Sequence, residues 1–151
     1  MNESCLAFGS SNNNLELAPI NSAWILEGTP IARNCTISTN KDGTSVALIW
    51  DCTAGRFNWF YDVDETVYVI EGSVLLKDAN GAQRRVSAGD TVHFPVGAKV
   101  EWTVDKYIRK VAFCAAPMPK PIRFAWRGLK AVKRLSGLGS ASSATAMFGA
   151  K

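Results

Sequence analysis

From Ala23 to Ala115 the chain is a succession of short β-forming runs, each broken by Gly, Pro, Asn or Asp, and no stretch of it carries the 3.6-residue period of an amphipathic helix. Thr44–Trp50 is apolar, Arg56–Tyr61 alternates around aromatic residues, and Glu65–Ile70 is β-branched and aromatic. Gly72 separates that run from Ser73–Lys77, and Asn80-Gly81 is a strong two-residue hairpin signal before the return run Ala82–Val86. Thr91–Phe94, Lys99–Val104 and Tyr107–Ala115 complete the set. Strands this short and this closely spaced can bury their apolar faces only against one another. The expectation is an all-β antiparallel sandwich or barrel.

With 151 residues the chain has the length of one domain. At that size folding buries roughly 70% of the unfolded surface, so neither a disulfide nor a metal is needed to hold it. The charge is unevenly placed. Ten basic and thirteen acidic residues precede Met118, a net of −3, whereas seven basic residues and no acid follow it. A globular nucleic-acid binder carries its basic charge on the folded body, so this class is excluded and no nucleic-acid partner is expected. The expected organisation is a flexible segment at 1–22, a β-barrel at 23–116, a Pro-rich linker at 117–121, a basic amphipathic helix at 122–135 and a disordered tail at 136–151. No apolar run approaches the ~20 residues of a membrane span. Met1–Ala23 has no basic stretch followed by an apolar one, which predicts no secretory leader and a cytoplasmic location. Cys5, Cys35, Cys52 and Cys114 form no Cys-x-x-Cys pair and are read as reduced structural thiols.

Two segments resemble a known family. Gly89-Asp90-Thr91-Val92-His93-Phe94-Pro95-Val96-Gly97 is similar to the second cupin motif, a glycine followed five residues later by Pro-x-Gly. Glu65 to Gly72 is similar to the end of the first, a glutamate followed after six residues by glycine. Phe57–Tyr61 and Glu101-Trp102 resemble the aromatic-rich cupin subfamily named for (S)-ureidoglycine aminohydrolase. The resemblance covers Thr36 to Ala115 and implies a small RmlC-like jelly-roll barrel, often a homodimer. In metal-binding cupins the first motif is His-x-His, four residues, then Glu. Counted back from Glu65, the histidine positions are held by Asn58 and Phe60, and the third, after Pro-x-Gly, by Val100. Sliding the motif by one residue reaches Trp59 and Tyr61, which are no better as ligands. No metal and no other cofactor is therefore expected, since one carboxylate and one amide make a poor transition-metal site.

The candidate residues follow from that alignment. Glu65, Val67 and Val69 share one face of a strand, which the resemblance turns into the barrel. Glu65 there is either a general acid/base, a structural carboxylate bonded to Asn58 or a backbone amide, or a carboxylate at the barrel rim. Asn58, Phe60, Glu65 and Val100 are the expected ligand-binding wall, with Trp59 and Tyr61 facing away. The aromatic residues Phe57, Trp59, Phe60, Tyr61, Tyr68 and Trp102 read equally as barrel core and dimer interface. His93 is the lone histidine and reads as a surface residue, while Asp90 reads as the cap of its turn.

Three functions remain open on the sequence. One is a metal-independent protein that binds a small molecule or serves as an accessory. Another is a hydrolase similar to (S)-ureidoglycine aminohydrolase, acting on a small polar metabolite with Glu65 as the catalytic group. The third is a barrel tethered to an anionic membrane or a protein partner through Ile122 to Leu135, a helix whose apolar face could instead pack on the barrel. Whether the chain is an enzyme stays open.

Overall fold

The computed structural model describes residues 6–10, 13–117, 119 and 121–122. Eight strands follow in order: β1 (Glu16–Leu17), β2 (Ile25–Glu27), β3 (Ala32–Thr39), β4 (Ser45–Phe60), β5 (Asp64–Asp78), β6 (Gln83–Ser87), β7 (Thr91–Phe94) and β8 (Lys99–Ala115). A single 3-10 turn, Ser22–Trp24, precedes β2 and is capped by the Asn21 side chain on the Ala23 N–H. All pairings are antiparallel in the order β1-β3-β4-β8-β5-β6, with β2 added to β4 and β7 added to β5.

The frame is three long strands, β4, β5 and β8, of 16, 15 and 17 residues. The sequence runs that read as separate strands are joined here in pairs. Thr44–Trp50 and Arg56–Tyr61 both belong to β4, Glu65–Ile70 and Ser73–Lys77 to β5, and the two runs after Lys99 to β8. What breaks the sequence pattern is a bulge and not a turn. The β4–β8 register slips between Thr53 and Gly55, and the β5–β8 register slips between Val69 and Leu75. Bulges of this kind bend a strand and raise its twist, so one strand serves both halves of the barrel.

Gly72 lies inside the second slip with φ +76, and a Cβ there would sit 2.0 Å from the Tyr107 carbonyl oxygen. Glycine is required at this point, where two backbones nearly touch. The interior is filled by Phe57, Val67, Val69, Val74, Trp102 and Ile108, all buried.

The amino-terminal segment is not free of the barrel. Glu16–Leu17 pairs with β3, the Ala18 N–H donates to the Ala32 carbonyl, and Ile20 is buried in the core. The expected helix at 122–135 and tail at 136–151 lie outside the described residues, Ile122 excepted. Among the described residues no helix is long and apolar enough to cross a membrane.

Candidate functional site

A cavity of about 390 Å³ opens inside the barrel, walled by β3, β4, β5, β8 and the Ala18-Pro19 segment. Three indoles form much of its surface. Trp50 and Trp102 meet edge to face at 5.9 Å, Trp50 and Trp59 at 6.0 Å, and Phe57 stacks on Trp102 at 6.1 Å. These are the offset and T-shaped geometries that aromatic quadrupoles favour.

Two charges sit in this apolar surround. Glu65 near the start of β5 and Lys110 on β8 are both buried, and the Lys110 ammonium donates to Glu65 Oε1. The same Nζ lies 5.0 Å from the Trp50 ring centre and 4.9 Å from that of Trp102, within cation–π range of both. The Cys114 thiol faces Glu65 Oε2 at 3.8 Å. Burial, and secondarily the Glu65 charge, push that thiol up to about 11, so it is protonated near neutral pH and no ready nucleophile.

Tyr61 lines the cavity with its ring stacked on Phe94 at 4.5 Å. Burial holds its phenol well above its ordinary value, with the Glu65 charge adding to the rise. The Trp102 indole lies beside that hydroxyl and partly offsets the rise without closing a hydrogen bond on it. The Tyr61 hydroxyl and the Trp102 Nε1–H are thus buried donors with no partner.

The residues expected to form the ligand wall separate. Glu65 and Val100 face inward, but Val100 lines a different groove, with Leu76 and Phe94. Asn58 and Phe60 face outward. Asn58 lies opposite Glu101 in a surface depression, and Phe60 is 41% exposed beneath the Lys99 ammonium and against Trp24. Trp59 and Tyr61, expected to face away, line the cavity.

The correction has a plain cause. β4 ends at Phe60 and β5 begins at Asp64, so counting back from Glu65 crosses a turn, and strand alternation does not carry through a turn. The β4–β8 ladder fixes the facing instead, pairing Phe57 with Trp102 and Trp59 with Val100.

Lys110 is the candidate site residue that the sequence alone did not single out. Its signal was present in the alternation Ile108, Lys110, Ala112, Cys114, which places one cation on the apolar face of a strand. His93 is exposed, its Nδ1 3.0 Å from Thr66 Oγ1, and Asp90 accepts from the Ser87 N–H at 2.9 Å as a turn cap. Among the described residues no group of three or more His, Cys, Asp or Glu side chains is placed to hold a metal ion.

An antiparallel barrel built on long bent strands around an open, aromatic-lined cavity defines the class of small jelly-roll β-barrels. Within that class the chain has an RmlC-like cupin fold and carries a cupin domain. Residues 39–112 match the family model of the EutQ-like cupin domain. The chain is similar to a protein of the DUF861 family from Pseudomonas syringae pv. tomato, with 26% identity, a TM-score of 0.64, and coverage of 69% of this chain and 45% of that one. It is similar in fold to EutQ from Clostridium difficile (20% identity, TM-score 0.52, 58% of this chain and 64% of that one). It is also similar in fold to an RmlC-like cupin from Shewanella frigidimarina (13% identity, TM-score 0.53, 80% and 96%). The chain thus spans less than half the length of the Pseudomonas protein. No curated protein matches it.

Proposed function

We propose that this cupin domain is a metal-independent binding or accessory protein that takes a small polar molecule into the barrel beside Glu65 and Lys110. The observation that carries the reading is the buried Glu65–Lys110 pair on the wall of a cavity of about 390 Å³. Removing two charges from water is expensive, and a buried pair is often no more stable than apolar residues of the same volume. Such a pair beside open space earns its place by meeting polar groups of a ligand: Glu65 accepts from an N–H or O–H, and Lys110 donates to an oxygen. The indoles supply flat apolar contact around that polar centre.

The residues present do not fit the metal ion that many cupins hold. At the inward positions preceding Glu65 stand Trp59 and Tyr61, and Val100, after Pro-x-Gly, is apolar and lines a separate groove. An indole and an isopropyl group offer a metal no lone pair, the Tyr61 phenol keeps its proton, and the Glu65 carboxylate is already matched by an ammonium.

The test joins metal analysis of the purified protein with a screen of small polar metabolites read by tryptophan fluorescence and melting temperature. The expected result is substoichiometric metal, no effect of chelator on melting, and a ligand whose signal Glu65→Gln removes. Stoichiometric metal that raises the melting point, or ammonia release from ureido compounds that chelator abolishes, would overturn the reading in favour of the hydrolase.

A further inference from the structure

We propose that the Lys110 ammonium is the resident cation of this lumen, and that by filling a cation cage it makes the site receive an oxygen acceptor and refuse a free cation. The inference rests on the lumen reading above and adds what the site selects for.

A carboxylate and two indole faces converging within cation–π distance are the set that recognises an organic ammonium ion. Glu65, Trp50 and Trp102 supply that set, and the occupant is the side chain of the same polypeptide. Both oxygens of Glu65 are engaged, one by the Lys110 ammonium and the other facing the Cys114 thiol. A cation entering the cavity therefore meets like charge and no unmatched buried carboxylate. Asp62 also borders the cavity, but it is exposed, and water screens it.

The polar groups left without partners are of the other kind. The Trp102 indole N–H can only donate and the Tyr61 hydroxyl can donate as well as accept, while the Lys110 ammonium, already bonded to Glu65, carries further N–H bonds and no acceptor. Buried donors of this sort are completed by an acceptor, and a carbonyl oxygen of the ligand is the simplest one. The same arrangement accounts for the poor fit of a metal ion, because the positive charge beside Glu65 is tethered by a covalent chain.

Two probes of matched shape and opposite demand separate the possibilities: pivalamide, which offers a carbonyl oxygen, and neopentylammonium, which offers a cation. Wild-type protein is expected to change its tryptophan fluorescence with pivalamide and not with neopentylammonium. Lys110→Ala empties the cage while leaving Glu65 and the indoles, so neopentylammonium should raise its melting temperature by several degrees, through preferential binding to the folded state. The same amine should leave wild type and the Glu65→Gln/Lys110→Ala double variant unmoved.

A Lys110→Ala variant indifferent to the amine would overturn the proposal, as would a wild type that answers the amine as it answers the amide. So would a single variant that stays unfolded with amine present while the double variant folds. A wild type blind to both probes, beside a single variant that takes up the amine, would uphold the resident cation and tell against the ligand reading instead.

Discussion

The Glu65–Lys110 pair is where one atom's change should be felt most. Lys110→Met keeps the volume of the side chain and removes its charge, leaving the Glu65 carboxylate buried without a counter-ion; the expected loss is about 3–5 kcal/mol. Adding Glu65→Gln to the same chain removes the stranded charge, and the double variant should regain most of what the single one lost. Urea denaturation of wild type, both single variants and the double gives the coupling directly. A coupling near zero would mean that water reaches the pair. Cys114 offers a second reading of the same surroundings. The folded chain keeps its thiol proton to about 11, whereas the free thiol releases it near 9.0. Stability from this group is therefore intact below pH 9 and falls as the pH rises between the two values, because only the unfolded chain ionises there. Alkylation of Cys114 by iodoacetamide, followed by peptide mass spectrometry across pH, should rise toward about 11, and a midpoint near 9 would place the thiol in water.

Where the strands bend, glycine decides what the fold can accept. Gly72 and Gly81 both have positive φ, +76 and +85, so an alanine at either pays the left-handed strain of about 1–2 kcal/mol. Only Gly72 also meets a neighbour, the Tyr107 carbonyl oxygen at 2.0 Å from its would-be Cβ, whereas Gly81 in the hairpin has nothing within 4 Å. Gly81→Ala should lower the melting temperature modestly, and Gly72→Ala should fail to fold or melt far lower. Equal losses in thermal melts would show that the β5–β8 contact is not this close. The bends also explain what the sequence revealed. The β-forming runs were visible from composition and punctuation, but their joining was not, because a bulge at Thr53–Gly55 looks locally like a chain break and is distinguished only by its partner on β8. The facing of Trp59, Tyr61, Asn58 and Phe60 was lost for a related reason, since it is set by the ladder to β8 and not by distance along the chain from Glu65. Glu65 itself was legible as an inward carboxylate. Its partner lies 45 residues away on a strand that pairs Val69 with Lys110, a register no local pattern encodes.

The cavity and the charge imbalance belong to different parts of the polypeptide. Residues 1–117 carry the net −3 and the lumen, while the segment from Met118 carries seven basic residues and no acid. A cluster such as Arg123, Arg127, Lys130, Lys133 and Arg134 gains about 1 kcal/mol per residue near an anionic bilayer, and the attraction decays over a Debye length, about 10 Å at 0.1 M salt. The acidic body is repelled by the same surface, so we propose that any membrane association runs through these five residues and is electrostatic. The full chain should sediment with phosphatidylserine-containing vesicles at low salt, leave them as salt rises, and ignore vesicles of neutral lipid. Replacing the five with glutamine should abolish sedimentation while leaving thermal melting of the barrel and any lumen ligand's signal unchanged. Sedimentation that survives the replacement would assign the contact to the body, and sedimentation absent from the start would leave the basic segment to a protein partner.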